Sequence, residues 1–496
     1  MSILKTTIRF IGFTLFGIFS LMVVAALIAS ENHQDGSFYP LLISAGITLL
    51  ASLGCVLSTK PNQRIDLRAG SYIITGCWLS ACFFGALPFV LYGHEFTFIN
   101  AFFESVSGFT TTGASILTNI EALPKGLLFW RVATAWIGGI GVVSLVSIVI
   151  SARNDQHSQL AGMELSSIAK EYYSGRRKQF VYRILVVYIG LTLASFFSLH
   201  LAGMSWFDAA AHAMSACSTC GFSTKNNSIA AFDSPIIESI LIVSMMLASI
   251  NFSLIFATFW PSVNNRKNLF NTKIVRVFII SVFIGVVMMT VDLVVTKTYD
   301  SVGEAFRAAA FQLSSLSTTT GFATTDTNLW PVFSMAILIV GSLVCGCSGS
   351  TAGGIKIDRV WFALKGTSEM LKTLIHPNKY DYLKLDGNTK RWDEVSSVIS
   401  FIMLYILIVC IGMVVYTISG MDFQTGMSAS IACMGNVGPG FGIVGSMGNY
   451  ASLSGFLKIF SAILMLLGRL EIYPILIVIG GLTGQIPSPF RKRAKH

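Results

Sequence analysis

Apolar runs of about twenty residues, the length that crosses a bilayer as a helix, recur near residues 8–30, 39–58, 71–93, 126–152, 181–203, 235–260, 275–296, 332–375, 395–419 and 452–482. They predict ten spans. The polar stretches between them alternate in character. Every second junction is rich in Lys and Arg: Lys5 and Arg9, Lys60 to Arg68, Arg153 to Arg183, Arg266 to Arg276, Lys356 to Arg391, and Arg491 to Lys495. The other junctions hold few basic residues, such as Lys225, Lys297 and Arg307. Positive charge gathers on the cytoplasmic side, so both termini are expected to be cytoplasmic. An even number of spans agrees. The run at 8–30 is longer than the apolar core of a signal peptide and a second span follows at once, so it reads as a retained first helix.

The outward junctions after the third span carry a second pattern. Each contains an apolar stretch too short to cross, followed by small polar residues and a glycine: FFESVSGFTTTG ending at Gly113, AAHAMSACSTCG at Gly221, AFQLSSLSTTTG at Gly321 and MSASIACMGNVG at Gly438. Such segments are expected to be re-entrant. Aligned on the last glycine, Ser107, Ser215 and Ser315 share one offset, and Thr110, Ser218 and Thr318 a second. Thr111, Thr219, Thr319 and Asn436 share a third. The glycines lie roughly a hundred residues apart, so the chain reads as two leading helices and four copies of helix, pore loop, helix. The expected units are 1–69, 70–155, 156–265, 266–392 and 393–496.

A dehydrated cation needs several oxygen ligands at once, and a ring of backbone carbonyls supplies them without burying a countercharge. Four loops around one axis make such a ring. Glycine at the tip permits backbone angles that a side chain hinders. Thr and Ser beside it can bond neighbouring backbone groups. No Asp or Glu lies between Thr110 and Ser115 or at the matching positions, which argues against a carboxylate ring and for a monovalent cation. The fourth loop departs most, since GNVGPG lacks hydroxyl residues.

Two further features sit at membrane depth. GCSGSTAGG, with Gly346, Ser348, Gly349, Gly353 and Gly354, interrupts the eighth apolar run. So many Gly and Ser residues hold a helix poorly, and irregular backbone at that depth needs protein or a water-filled cavity around it. A gating loop below the filter is expected there, with close helix packing as the alternative. Arg469, in GRLEIYP of the last run, carries a charge costing about 2.5–3.5 kcal/mol on insertion scales, so it should face the interior or water. It is expected to border the pore as a barrier to cations, with snorkelling to an interface as the alternative. Glu471, two residues on, points to another helix face and is not its simple partner.

Composition narrows the class. A chain of 496 residues with 53% hydrophobic and 12% charged residues is too apolar for an ordinary soluble protein. The net charge of +10 is spread over the junctions rather than gathered in a patch, so no nucleic-acid partner is expected. The basic loops suit an acidic protein surface or anionic membrane lipid equally. Cys217 and Cys220 form a CxxC pair, but no second ligand pair follows at zinc-finger spacing. GFGIVG at 440–445 has neither strand before it nor helix opening at it, and no GxxxxGK[ST] is present. An enzyme is therefore not expected, nor an organic cofactor. His212 and Glu104, at the same offset in the second and first loops, are expected to pack and to tie their loops in place.

The loops TTTGAS, STCGFS, TTTGFA and NVGPGFG, together with GCSGSTAGGIK and GRLEIYP, resemble the Trk/Ktr/HKT superfamily of potassium transporters. The two leading helices and the NVGPG loop are most similar to its TrkH-type members. The resemblance implies an all-α integral membrane fold and potassium uptake across a bacterial inner membrane. It also implies a homodimer, each subunit with its own pore, on a cytoplasmic TrkA-type nucleotide-binding ring. It assigns filter roles, with K⁺ as the transported ion, to Thr110, Thr111, Thr112 and Gly113; to Ser218, Thr219, Cys220 and Gly221; to Thr318, Thr319, Thr320 and Gly321; and to Asn436, Val437 and Gly438. An intramembrane gate at 346–354 and an electrostatic barrier at Arg469 follow in the same way. Cys220 stands where Thr is more usual. A Ser at the first tip accompanies sodium selectivity in HKT relatives, whereas all four tips here are Gly. The competing readings are a sodium-conducting relative and a broken-helix transporter of an organic solute, which would show inverted rather than parallel repeats.

Overall fold

A computed structural model describes residues 2–31, 35–59, 67–151, 177–260, 269, 271–375, 383–385, 388–390 and 392–483. The basic positions Lys60, Arg64, Arg153, Lys170, Arg176, Arg266, Lys267 and those at 491–495 lie outside the described residues.

Every apolar run forms a helix or a helix pair. The first five are Ser2–Ser30, Phe38–Leu57, Leu67–Tyr92, Lys125–Ser151 and Arg177–Leu201. They are followed by Pro235–Ala248 with Phe252–Phe259, Lys273–Val295, Val332–Leu343 with Ile357–Ile375, Trp392–Ile418, and Gly455–Arg469 with Tyr473–Leu482. Among the described residues, six helices are long and apolar enough to cross a membrane unaided. Large apolar side chains such as Phe283, Val295, Met403 and Ile418 remain exposed on the outside of the bundle, as they do where hydrocarbon replaces water as the solvent.

The four short stretches are helices that stop at the filter sequences: Phe98–Phe109, Trp206–Ser218, Val302–Ser317 and Phe423–Gly435. One apolar cluster joins Phe103 and Trp130 of the first repeat to Tyr416, Cys433 and Leu464 of the last. A second runs from Tyr188 and Phe252 through Phe278 and Leu313 to Val437. The repeats are thus arranged in a closed circle, first beside fourth. The leading helices, through Leu15, Met22 and Leu41, pack onto the first of these clusters.

Two runs expected to be continuous spans are broken instead. Pro235–Ala248 and Phe252–Phe259 meet at 103°, and Gly455–Arg469 and Tyr473–Gly481 at 111°. At the first break Asn251 caps the new helix, accepting from the Ser253 and Leu254 amides at 2.9 and 3.3 Å, and donates to the Ser348 carbonyl at 2.9 Å. At the second, Glu471 and Ile472 take positive φ of 56° and 63°, and Pro474 sits in the first turn beyond. Both breaks adjoin the loop at 346–354. That loop is closed by a two-residue parallel pairing of Val344–Cys345 with Ile355–Lys356, and a small antiparallel hairpin joins Leu383–Leu385 to Asn388–Lys390. These are the strands in an otherwise helical description.

Candidate functional site

Each short helix is fixed at both ends. Thr97, Ser205, Ser301 and Asp422 cap the N-termini by accepting backbone amides. At the C-termini the amides of Thr112, Cys220, Thr320 and Val437 reach back five residues to the carbonyls of Ser107, Ser215, Ser315 and Ala432, at 2.8, 3.0, 2.8 and 2.9 Å. The preceding amides, of Thr111, Thr219, Thr319 and Asn436, reach back three residues. This is the Schellman arrangement, which requires a left-handed residue at the turn. Thr111, Thr219, Thr319 and Asn436 supply it with φ of 54°, 56°, 57° and 54°. A β-branched residue is unusual there, so three of the four turns hold local strain of about 1–3 kcal/mol each.

Two residues on, Gly113, Gly221, Gly321 and Gly438 are again left-handed, with φ of 78°, 82°, 84° and 94°. The tips close a ring. A Cβ on Gly113 would strike the Cys220 carbonyl oxygen, one on Gly221 that of Thr320, one on Gly321 that of Val437, and one on Gly438 that of Thr112. Each tip thus abuts the next loop, and the fourth abuts the first. All four glycines line one small cavity of about 80 Å³ on the outer side.

The carbonyls of this ring are buried and unpartnered. Thr111, Thr112, Thr219, Cys220, Thr319, Thr320, Asn436 and Val437 are all buried, and their carbonyl oxygens accept no hydrogen bond from any described residue. Buried carbonyls without a donor are rare, and a cation is a partner that satisfies several at once. The four helices also direct their C-terminal, partly negative ends at the ring.

One position in each helix, nine residues before the glycine, braces the strand beyond it. Glu104 accepts from the Ser115 hydroxyl at 3.0 Å and the Ile116 amide at 3.0 Å. His212 bonds the Ser223 hydroxyl at 2.9 Å, and Gln312 donates to the Thr325 carbonyl at 3.1 Å. Ala429 stands at this position in the fourth helix, where neighbouring Ser428 accepts the Phe441 amide at 2.8 Å instead. Glu104 is further paired with Arg131 at 2.5 Å, both fully buried. Arg131 in turn donates to the Ser223 carbonyl at 3.1 Å and stacks 3.6 Å from the Phe222 ring. The tying role expected of Glu104 holds, as does the packing or hydrogen-bonding role expected of His212; Arg131 was hidden in an apolar run, its charge the signal that could have found it. Among the described residues no carboxylate lines the outer cavity, which has Lys225 at its wall.

Below the ring lies the Gly346–Gly354 loop. The Gly353 amide donates to the Thr319 hydroxyl at 2.9 Å, and a Cβ there would strike the Gly435 carbonyl oxygen. The Thr351 hydroxyl reaches the carbonyls of Cys217 and Ala248, both at 3.1 Å. Gly349 and Gly354 have φ of 82° and 64°. Gly346 packs against Ser249, and Ser348 bonds Asp358 through its amide and hydroxyl at 3.1 and 2.9 Å. Arg469, 5% exposed, donates to the Thr351 carbonyl at 2.7 Å and the Gly138 carbonyl at 3.3 Å. It therefore faces the interior rather than an interface. Glu471 pairs with Arg359 at 2.6 Å, and the buried Lys356 ammonium donates to the Ala352 carbonyl at 2.6 Å. Lys356, Asp358 and Arg359 went unread as parts of this site, although charges directly after the glycine run were their signal. Cys217, at the end of the second short helix, and Cys220, within the second loop, are buried free thiols.

Four short, mostly buried helices ending on one ring, inside a bundle of spans, define a membrane protein of the pore-loop class. A family model described as "TrkH: Cation transport protein" matches residues 42–482. The potassium uptake protein TrkH of Vibrio parahaemolyticus is 32% identical over 96% of this chain and 98% of its own. TrkG of Escherichia coli is 31% identical over 94% and 95%. The crystal structure of the potassium transporter TrkH from Vibrio parahaemolyticus matches with a TM-score of 0.87 at 30% identity, over 98% of this chain and 100% of that one. The chain belongs to the TrkH family of cation transport proteins.

Proposed function

We propose that this chain takes up potassium across the bacterial inner membrane, with both termini in the cytoplasm. The ion passes through the ring formed by Thr110 to Gly113, Ser218 to Gly221, Thr318 to Gly321 and Asn436 to Gly438. The observation that carries this reading is the closed ring of glycine tips together with the buried carbonyls just before them, which accept no hydrogen bond from any described residue. The Gly346–Gly354 loop is the gate and Arg469 the electrostatic barrier: the loop is bonded to the third filter turn through Thr319 and to Arg469 through Thr351. The protein works as a homodimer, one pore per subunit, on a cytoplasmic nucleotide-binding ring of the TrkA type; support for these partners is the family resemblance.

Purified protein in liposomes tests the reading, with K⁺, Rb⁺ and Na⁺ fluxes compared with and without a proton gradient. K⁺ and Rb⁺ flux well above Na⁺ is expected. Equal K⁺ and Na⁺ flux overturns the selectivity, and no flux of any cation overturns the transport reading.

A further inference from the structure

On the outside of the bundle, away from the outer cavity, a groove of about 450 Å³ opens between the helices Ser2–Ser30, Leu67–Tyr92 and Lys125–Ser151. Its walls are apolar, with Phe13, Ile74, Trp78 and Ile137 among them, and its floor reaches Phe109 and Gly138. We propose that this groove is a binding site for an anionic phospholipid, one acyl chain lying along it and the phosphate meeting Arg9 and Lys5.

The occupant follows from position and charge. The groove is cut into membrane-spanning helices, where the available apolar ligand is an acyl chain, and its volume lies within the ~300–1,000 Å³ of ordinary ligand sites. Lys5, Arg9 and Phe13 are spaced four apart on one helix face, so the stripe passes from charge to groove wall within about 12 Å of helix rise. The Arg9 guanidinium lies 5.5 Å from the Phe13 ring centre and uses one nitrogen on the Thr59 carbonyl, at 2.7 Å. A guanidinium offers five N–H donors, so others are left for a phosphate. The basic end is the one expected to face the cytoplasm, the side whose leaflet carries anionic lipid in the usual arrangement.

The floor of the groove connects it to the conduction path. A Cβ on Gly138 would strike the Phe109 carbonyl oxygen, so the fourth span lies directly on the end of the first pore helix. The Gly138 carbonyl accepts the Arg469 guanidinium. A bound acyl chain therefore supports the backbone that positions Arg469. This consequence rests on the transport reading; the binding itself does not.

Native mass spectrometry of the full-length protein, offered equal phosphatidylglycerol and phosphatidylcholine of matched chain length, tests the site. One phosphatidylglycerol retained per chain is expected, favoured by about fivefold for each basic residue engaged. Arg9→Gln should lose most of that preference and Arg9→Lys should keep it. Cys77 is a half-buried free thiol on the same groove wall, and Cys77→Trp should fill the groove and displace the lipid. Equal retention of both lipids overturns the anionic assignment, and retention unaffected by Arg9→Gln and Cys77→Trp overturns the site. Lipid retention without cation flux would overturn the transport reading alone.

Discussion

The first and fourth loops build the same backbone with different chemistry. Both carry a left-handed residue at the helix end, at Thr111 and Asn436, and both end on a left-handed glycine against the neighbouring loop. In the first loop the Thr110 and Thr112 hydroxyls bond each other at 2.8 Å, and the buried Glu104–Arg131 pair stands behind them. The third loop repeats the hydroxyl pair between Thr318 and Thr320, also at 2.8 Å. The fourth has neither device. Its Asn436 amide bridges the Thr112 hydroxyl at 3.1 Å and the Met465 carbonyl at 2.9 Å, and the Tyr450 hydroxyl donates to the Gly438 carbonyl at 2.8 Å. The backbone is fourfold while its supports are local, so the invariant requirement is the path of the chain at the ring.

The sharpest way to break that equivalence is at the glycines themselves. Gly113→Ala and Gly438→Ala should abolish selective uptake alike, despite their unlike surroundings. Each adds a carbonyl collision to a left-handed backbone that alone costs about 1–3 kcal/mol, so a loss of Rb⁺ uptake greater than about tenfold is expected in liposomes. Full activity in Gly438→Ala would show that the fourth loop stands apart from the ring.

The supports should break unequally. Arg131→Met leaves the Glu104 carboxylate buried without its charged partner, a change that costs about 3–5 kcal/mol. Thermal unfolding in detergent should report that loss, and Glu104→Gln combined with Arg131→Met should recover part of it. Ala429→Ser, at the matching position of the fourth helix, should leave the transition nearly unmoved. Comparable losses at the two positions would contradict local bracing.

How much of this was legible follows the same division. The serine and threonine offsets located the three hydroxyl-rich turns. Asn436 aligned with threonines because Asn tolerates the left-handed conformation that the turn needs, a backbone property rather than a hydroxyl property. The breaks at 249–251 and 470–472 were missed because each helix pair is, taken together, long and apolar enough for one span, and averaged hydropathy does not register a bend. The signals lay in Asn251 as a helix cap and Pro474 as a helix start. Arg131 and Arg359 acquire partners only when distant segments meet, at Glu104 and Glu471, and sequence spacing alone does not name those partners.

Arg469 touches both sides of the comparison, through Gly138 in the span after the first loop and through its own helix, which holds the Met465 carbonyl used by Asn436. Arg469→Gln removes the charge and keeps a polar side chain in place. Resting cation flux should rise several-fold, with a weaker dependence on whatever opens the Gly346–Gly354 loop. Single-channel or liposome recordings of the variant decide this, and unaltered resting flux would remove Arg469 from the barrier.

A smaller effect is expected at Tyr450. The carbonyls of Gly113, Gly221 and Gly321 receive no hydrogen bond from a described residue, whereas that of Gly438 receives the Tyr450 hydroxyl. A carbonyl oxygen has two lone pairs, so this bond leaves room for an ion while restraining the one loop that lacks hydroxyl residues. Tyr450→Phe deletes a bond worth about 0.5–1.5 kcal/mol. The Na⁺ to Rb⁺ flux ratio should therefore rise by about two- to tenfold, with folding intact. Thr110→Val, in the first loop, should move the ratio less, because it leaves the Thr112 hydroxyl to Asn436 and Glu104 still fixes the strand beyond Gly113. Equal responses would mean that the fourth loop is held by Asn436 alone.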